Sequence, residues 1–472
     1  MEARGFGDVR ALAERWFSAA ELGDVRRTLR LVESAERVMK QPGGTLPAKF
    51  SDPGALEGFY RLMSDEQVTH ASVLGPAVAA TWRAMAEHAG VVLILHDTTV
   101  LDYSGLSSVA DLGQIGDGHG RGLYAHNSLA VTCQGRVLGL AGQLLHRRRE
   151  VKDAESRADC QSATDRESRL WKRACEALPH PPSSARWVDV ADRGSDVTEF
   201  LAHEHRAGRS YVIRSQHNRR VRVMDEHGEV SEHRLHDHIR GLMCVGQTRR
   251  TIDVPSAPGR RARRAELSVA WCALEVLPPR QRRGEHDDAP LSVWAVRVWE
   301  ADPPAGAEPI EWVLLTNVAV NGETQAWERV GWYASRWKIE DYHKSLKTGL
   351  GIEQMQFTSR DRLEPAIAML SVIGTWLVGL RDASRDPELH EKPASSLVPA
   401  SWVRVLSAWR HRQVRVEWTL HEFVYALARL GGHQNRKSDH PPGWQTLWRG
   451  WIRLQDMLAG ASLLDIRRCG VT

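Results

Sequence analysis

The chain has 472 residues, too many for one hydrophobic core, so we expect two to four domains. Apolar residues make up 42% and charged residues 26%, which is typical of a soluble globular protein. No N-terminal segment has the basic, apolar and small-residue order of a signal peptide, and the six cysteines are scattered without a CxxC pair. These features argue against a zinc site or a disulfide framework and favour reduced thiols in a cytoplasmic protein.

The positive charge is concentrated in clusters. The net charge is only +4, but arginines are grouped at 26–30, 147–149, 249–250 and 260–264. Such clusters on an otherwise balanced chain indicate contacts with a polyanion, although a solubilising surface explains any single cluster equally well. Tryptophan is also frequent, with 18 residues against seven tyrosines and seven phenylalanines. We expect most of these rings in packing and some as stacking platforms for bases.

Residues 1–70 have a helical pattern. Arg10–Phe17 is amphipathic, Asp24 is placed to cap the helix that follows, and a short helix is predicted around Gly54–Met63. Four arginines lie on or near faces of these helices: Arg26, Arg27, Arg30 and Arg61. A small helical unit with basic faces is consistent with DNA contact and equally with a structural cap.

From Val91 onward the pattern changes to alternating strands and helices. Val91–Leu95 is a short apolar run typical of a buried strand, and it ends on the sequence His-Asp-Thr-Thr that contains Asp97. Arg186–Ala191 is predicted as another strand, and Asp192 follows it. The other elements predicted here are strands at Ser128–Cys133, Val137–Leu144 and Tyr211–Arg214, and helices at about Asp153–Ala177 and Ser195–Ala207.

Two aspartates at the ends of neighbouring strands would emerge close together. In an RNase H-like sheet the first and fourth strands are neighbours, which would bring Asp97 beside Asp192. A carboxylate from a later helix, for which Glu340 is the obvious candidate, would complete a cluster of three acids. Such a cluster implies divalent cations, because the carboxylates otherwise repel one another. Two Mg²⁺ ions could then support an in-line phosphoryl transfer.

The segment 333–347 carries this third acid. Taken as one α-helix, it groups four polar residues within an arc of roughly 60°: Tyr333, Arg336, Glu340 and Lys347. Three apolar residues fall on another side, as expected of a face that packs on a core: Trp332, Ile339 and Leu346. By itself, such a segment is better explained as an ordinary solvated helix with charge pairs.

The connection between Asp192 and Glu340 is too long for a simple loop and predicts an inserted subdomain. We place it at about 218–310 and predict that it is mostly β, with strand-like runs at Ala265–Val276 and Leu291–Trp299. The histidines at 227, 233, 236 and 238 match no zinc-finger spacing, so we predict a polar, exposed loop there. A further strand, Glu311–Thr316, has Trp312 near its start.

The C-terminal part has a helical pattern. Ala366–Leu380 is nearly apolar but interrupted by polar residues and short for a membrane span, so we predict a buried helix. Helices resume near Trp402 and at Leu420–Leu430. In the last helix five apolar side chains align at helical spacing: Trp444, Leu447, Trp448, Trp451 and Leu458. This stripe is either core or a self-association face.

These residues together resemble the bacterial DDE transposases of the Tn-five (IS-four) type over essentially the whole chain. The most specific match is the signature Tyr-x2-Arg-x3-Glu-x6-Lys, which spans 333–347. Shorter matching words are LGDVRRT at 22–28, EGFYR at 57–61, HDTT at 96–99, DRGSD at 192–196, YVIRS at 211–215 and HKSLKTG at 343–349. The signature combined with two aspartates in the right order is much more specific than the signature alone.

The resemblance implies an α/β fold, namely an RNase H-like catalytic core with an inserted β subdomain, flanked by α-helical N- and C-terminal domains. Residues 1–70 would bind transposon ends, and residues 71–370 would form the catalytic domain with its insertion at about 218–310. Residues 371–472 would form a dimerisation domain that includes the last helix.

The resemblance also implies roles for individual residues. Asp97, Asp192 and Glu340 would be the catalytic ligands of two Mg²⁺ ions, with Mn²⁺ as a substitute. Trp312 would stack on a flipped base at the hairpinned DNA end. The remaining implied DNA contacts are Tyr333, Arg336 and Lys347, the adjacent Lys344 and His343, Arg214, and the N-terminal Arg26, Arg27, Arg30 and Arg61. One departure is Gly194, where the family often has an acidic residue.

The implied function is cut-and-paste transposition. A homodimer would bind and pair inverted-repeat ends of double-stranded DNA, nick them, form and resolve hairpins, and join the 3′-hydroxyls to target DNA. The protein would be a cytoplasmic bacterial protein associated with the nucleoid when on DNA, without a membrane partner. Two alternatives are a domesticated or inhibitory DNA-binding protein without transposition activity, and an RNase H-like nuclease without strand transfer.

Overall fold

The computed structural model describes most of the chain. The described residues are 8–106, 108–149, 166–225, 227–242, 246–254, 262–280, 289–415, 417–436 and 439–469, with side chains in the last helix to residue 463. Within them, the protein is mixed α/β, with one large sheet and helical segments at both ends. The α/β class and the helical flanks are therefore confirmed at this level.

The N-terminal part is helical, as predicted. Its five helices are α1 (Val9–Phe17), α2 (Val25–Lys40), α3 (Leu46–Phe50), α4 (Pro53–Met63) and α5 (His70–Glu87). Asp24 caps α2, accepting a 2.8 Å hydrogen bond from the backbone N–H of Arg26. The apolar faces of these helices, with Phe17 and Phe59 fully buried, belong to the same core as the central part of the chain. The basic faces consequently remain outside.

The central part contains the predicted strands with somewhat different bounds. They are β1 (Val91–Asp102), β2 (Gly113–Ile115), β3 (Gly120–Thr132), β4 (Val137–His146), β5 (Arg186–Ala191) and β6 (Ser210–Arg214). β2 was not predicted, and β1 continues through Asp97, so the prediction that this aspartate ends its strand is wrong. Two helices lie among these strands, α6 (Leu170–Glu176) and α7 (Thr198–Arg206). The predicted helix at 153–177 falls largely outside the described residues.

The inserted segment is mostly β, as predicted. Its elements are β7 (Arg220–Met224), β8 (Val230–Arg234), α8 (Leu235–Gly241), β9 (Arg250–Val254), β10 (Arg263–Val276) and β11 (Leu291–Glu300), and β12 (Glu311–Thr316) follows it. The loop predicted around the histidines is wrong for three of them, because His233 lies on β8 and His236 and His238 lie on α8.

All twelve described strands belong to one sheet. Their order is β2-β3-β1-β5-β6-β12-β11-β10-β7-β8, with β4 also paired to β3 and β9 to β10. β1, β5 and β6 run parallel, and the other pairs are antiparallel. The strands of the insertion therefore extend the central sheet, which they join where β11 pairs with β12. The parallel pair β1 and β5 is the one that we predicted from the two aspartates.

One long helix, α11 (Arg360–Ala383), crosses the core. Its length and composition would allow it to cross a membrane, but 78% of its most apolar window is buried inside the protein. The buried helix that we predicted at 366–380 is confirmed, with longer bounds. The domain boundary proposed between residues 370 and 371 falls inside this helix.

The C-terminal helices are α12 (Ala400–His411), α13 (Leu420–Leu430) and α14 (Trp444–Cys469). α13 and α14 approach so closely that a Cβ on Gly450 would lie 2.0 Å from the carbonyl oxygen of Leu427. The aligned Trp444, Leu447, Trp448 and Trp451 are buried within the chain. Of the two readings of this stripe, the described residues therefore support core packing.

The segment 333–347 is not one regular helix. α9 (Glu323–Ala334) ends within it, α10 (Trp337–Lys344) begins after a two-residue turn, and Ser345–Gly349 forms a π-helical turn. The N–H of Arg336 bonds to the carbonyl of Tyr333 at 3.0 Å, which is the tighter 3₁₀ spacing. Because the turn tightens at 336 and widens after 344, a constant 100° per residue does not hold. The predicted 60° arc is wrong for this reason.

Candidate active site

The register of the sheet brings Asp97 and Asp192 together. The last parallel pair between β1 and β5 is His96 with Ala191. Asp97 and Asp192 each directly follow one member of this pair. Asp97 lies on β1 beyond this pair, and Asp192 begins the turn after β5. Parallel neighbours keep equivalent positions side by side. The two carboxylates therefore emerge at one edge of the paired region.

Glu340 reaches the same place from α10. The guanidinium of Arg336 lies between two acids, donating to Glu340 Oε1 at 2.7 Å and lying 3.5 Å from Asp97 Oδ2. Arg336 immediately precedes α10, so it reaches Glu340 one helical turn later. Arg336 thus supplies the positive charge between two of the three predicted catalytic acids.

The other two predicted acids contribute to the electrostatic environment of Asp97. Burial raises the pKa of Asp97 to about 7, and the charges of Asp192 and Glu340 contribute to the increase, while Arg336 opposes it. The backbone N–H of Thr98 donates to Asp97 Oδ1 at 3.0 Å. A carboxyl group held in this way gains much from a cation that approaches it.

The three acids are not packed as a closed metal site. Among the described residues, the set whose ligand atoms lie within 4.8 Å of one another is His96, Cys175 and Asp189. In that buried set, Asp189 Oδ1 lies 2.8 Å from His96 Nε2, and Arg209 donates to both oxygens of Asp189 at 3.0 Å. We interpret it as an internal ion pair behind the strands, because a guanidinium already satisfies its carboxylate.

The departure at Gly194 has a structural explanation. The Asp192 side chain accepts a 2.9 Å hydrogen bond from the Gly194 N–H, which closes the turn. A Cβ at Gly194 would lie 2.6 Å from the buried indole of Trp171, closer than such contacts occur. The place of an acidic side chain is therefore occupied by Trp171. This indole also packs edge-on against His126, whose Nδ1 lies 2.8 Å from the Thr98 hydroxyl.

Tyr333, Trp312 and Arg214 form one group beside the acids. The Tyr333 ring is buried and meets the half-buried Trp312 ring edge-on, with centroids 5.1 Å apart. Arg214 donates to the Glu311 carbonyl at 3.0 Å, and its pKa is lowered by burial. Tyr333 therefore packs in the core and not on a wet face. The structure brings these three predicted residues together but leaves only part of each surface accessible.

The two lysines predicted to contact DNA, Lys344 and Lys347, lie at the surface, whereas the predicted His343 is buried. Lys344 is exposed, and Lys347 lies 3.1 Å from Glu353. His343 is buried, accepts a hydrogen bond from the Asn127 amide at 3.0 Å and points its Nδ1 toward Asp97 Oδ2 at 3.8 Å. Burial lowers the pKa of His343 to about 3, with Lys347 and Arg336 contributing. The structure therefore places His343 behind the acids and not on an outer surface.

The N-terminal arginines all have acidic neighbours. Arg26 pairs with Asp24 at 2.6 Å, Arg27 with Asp65 at 2.6 Å, and Arg30 lies 3.6 Å from Glu33. Arg61 pairs with Glu57 one helical turn earlier. Pairs at a surface exchange partners at little cost, so these guanidinium groups remain available to phosphates.

Two residues near the acids were not singled out from the sequence. Asn127 holds His343, and it lies within β3 without any motif around it. Trp337 is 56% exposed beside Arg336, whose guanidinium lies 5.1 Å from the indole centroid. Its position within the signature segment could have drawn attention to Trp337. No local signal identifies Asn127, because its role arises from strand pairing.

Residues 9–68 match a family model described as transposase DNA-binding. The matched segment contains α1–α4 and ends just before α5. It includes all four of the predicted N-terminal DNA-contacting arginines. The match supports a transposase and supports DNA as a partner of these helices.

Proposed function

We propose that this protein is a DNA transposase of the DDE type, which cuts and rejoins DNA. Its catalytic residues would be Asp97, Asp192 and Glu340. The observation that carries the proposal is that Asp192 and Glu340 both lie near enough to Asp97 for their charges to raise its pKa, in a chain whose N-terminal helices match a transposase DNA-binding family. The order of the five central strands, β4-β3-β1-β5-β6, also agrees with the RNase H-like core that the resemblance implies.

We further propose that the three carboxylates hold two Mg²⁺ ions, for which Mn²⁺ can substitute. Carboxylate oxygens are the ligands that these hard cations take, and the pKa of Asp97, raised by burial and by the charges of Asp192 and Glu340, is one that a bound cation would lower. When bound, the ions would activate a water or 3′-hydroxyl and stabilise the leaving oxygen. Because Arg336 lies between Asp97 and Glu340, its side chain must turn outward before the acids can converge.

The displaced Arg336 would then have a new partner. A guanidinium that leaves two carboxylates can bind a DNA phosphate in the same bidentate manner. Lys344 and Lys347 lie on the following turns and would contact adjacent phosphates. Trp312, beside Tyr333, would stack on a base flipped out of the DNA end, which requires its half-buried ring to become more accessible.

The proposed reaction is cut-and-paste transposition by a homodimer. The N-terminal helices would bind the inverted-repeat ends, and two protomers would pair them before cleavage, hairpin formation and strand transfer. Because the aromatic stripe of α14 is buried within the chain, a dimer contact would use other surfaces of the C-terminal helices.

The decisive experiment is Glu340→Gln in the full-length protein. We expect Mg²⁺-dependent strand cleavage of an inverted-repeat substrate to be lost, while binding of the DNA end is retained. Normal cleavage by the variant would refute the catalytic role of Glu340. If the wild-type protein binds the DNA end but excises nothing, a DNA-binding protein that does not transpose is favoured. If the wild-type protein cleaves DNA but yields no joined products, a nuclease is favoured.

A further inference from the structure

A row of polar side chains leads from α5 to Asp97 through the interior. The Gln143 Oε1 lies 2.9 Å from His70 Nε2, and the Gln143 Nε2 donates to Asn127 Oδ1 at 2.7 Å. The Asn127 Nδ2 donates to His343 Nε2 at 3.0 Å, and the Nδ1 of that ring lies 3.8 Å from Asp97 Oδ2. Asn127, Gln143 and His343 are all buried. The row ends on a proposed catalytic carboxylate.

The strand register builds most of this row. Asp97 on β1 lies opposite Asn127 on β3, and Asn127 lies opposite Gln143 on β4. Residues that are directly opposite in paired strands direct their side chains to the same face of the sheet. α10 and α11 cover that face and contribute His343 and Ser371. Three polar residues in register across a mostly apolar sheet are costly unless each one is paired.

The direction of every hydrogen bond in the row follows from one carbonyl. The Asn127 Nδ2 also donates to the Ala125 carbonyl oxygen at 3.2 Å, and a carbonyl oxygen can only accept. The amide NH₂ therefore faces both Ala125 and His343. The Nε2 of His343 must then be the acceptor, which places the ring proton on Nδ1, toward Asp97. The opposite amide orientation would bring two oxygens together at Ala125.

We propose that Asn127 and Gln143 are positioning residues that hold His343 with its Nδ1–H toward Asp97, and thereby orient this carboxylate for metal binding. The proposal rests on the proposed function, because the role of Asp97 as a metal ligand belongs to it. Groups that orient metal ligands through hydrogen bonds affect metal affinity by about 10- to 100-fold. The two amides would act in this way through the histidine.

Asn127→Asp in the full-length protein tests the proposal. The replacement has nearly the same shape and still accepts from Gln143, but its ionised carboxylate offers only acceptors to His343 Nε2. We expect long-range ¹H–¹⁵N spectra to show the His343 proton on Nδ1 in the parent protein and on Nε2 in the variant. The His343→Gln variant identifies the signal. We also expect Mn²⁺ affinity, measured by electron paramagnetic resonance, to fall about tenfold.

A purely structural network would behave differently. It would lower stability without changing the His343 tautomer or the Mn²⁺ affinity of the protein that remains folded. Ser371→Ala is the matched control. The Ser371 hydroxyl accepts a 2.9 Å hydrogen bond from Gln143 Nε2 but is not part of the row that leads to Asp97, so we expect this variant to change neither readout. Gln143→Glu provides a second variant, since it replaces the donor to Asn127 with an acceptor.

Two results would overturn the inference. One is an Nε2–H tautomer of His343 in the parent protein, and the other is unchanged Mn²⁺ affinity in both Asn127→Asp and Gln143→Glu. Failure of the proposed function has a separate signature, because Asp97→Asn would then bind Mn²⁺ as tightly as the parent does. Loss of binding in Asp97→Asn, together with normal binding in both amide variants, would reject the positioning role alone.

Discussion

Arg336 donates a 2.7 Å hydrogen bond to Glu340 one helical turn away. A residue proposed to bind DNA is thereby paired with a proposed catalytic acid. The same guanidinium lies 3.5 Å from Asp97. One arginine therefore stabilises two acids that belong to different elements of the fold. Under the proposed function, metal ions would replace this guanidinium as the counter-charge of the two acids.

Removing this arginine should make the fold depend more strongly on metal. In Arg336→Ala the two carboxylates lose their counter-charge, so we expect the free energy of unfolding in EDTA to fall by about 1–3 kcal/mol. Added Mg²⁺ should recover part of the loss, which urea titrations with and without the ion would measure. Arg10→Ala is the control, because its exposed pair with Glu14 should contribute less than about 1 kcal/mol. Equal effects of the two variants would contradict the pairing described here.

Gly194 should not tolerate a side chain while Trp171 is present. Because a Cβ would lie 2.6 Å from the indole, we expect Gly194→Ala to lower the free energy of unfolding by about 1–3 kcal/mol. Trp171→Leu in the same chain should make the Ala substitution less costly, which a double-mutant cycle in urea would show. In the control Gly75→Ala, within α5, no atom lies within 4 Å of the new Cβ, so we expect a slight stabilisation. Additive effects at 171 and 194 would refute the steric explanation.

Lys49 should make stability depend on pH above neutrality. It is buried on α3 with its ammonium 2.5 Å from the Pro42 carbonyl, and burial lowers its pKa from 10.5 to about 8. Between these two values the unfolded chain binds more protons than the folded chain, so this contribution to stability increases as pH rises. From pH 8 to pH 10 we therefore expect the free energy of unfolding of the parent to rise relative to that of Lys49→Met. If urea titrations give the same difference in unfolding free energy at both pH values, the lowered pKa of Lys49 is contradicted.

Lys344 should contribute to DNA binding through charge alone. It is exposed on α10, next to the buried His343. We expect Lys344→Ala to weaken binding of an inverted-repeat duplex and to reduce the slope of log affinity against log salt by about one unit. Lys392→Ala, at an exposed lysine between α11 and α12, is the control and should leave the slope unchanged. Fluorescence anisotropy at several salt concentrations would measure both, and an unchanged slope for Lys344→Ala would remove it from the interface.

The sequence was sufficient for features that depend on near neighbours in the chain. The apolar run before Asp97 predicted its strand, because a continuous apolar segment of this length is stable only when buried on both faces. Asp24 predicted the start of α2, because its carboxylate can reach the free N–H groups of the first turn. The spacing of Trp332, Ile339 and Leu346 predicted their burial despite the irregular backbone between them.

The tertiary structure decided whatever depends on distant parts of the chain. The pairing of Asp97 with Asn127 and of Asn127 with Gln143 is a matter of strand register, which no local pattern encodes. The turn at Ser335 and Arg336 and the π turn after Lys344 likewise redirect side chains that a regular helix would align. The sequence by itself determined which acids this protein carries and on which elements they lie. Packing of β1, β3, β4 and α10 decided what surrounds Asp97, because burial and hydrogen bonding there require residues that are far apart in the chain.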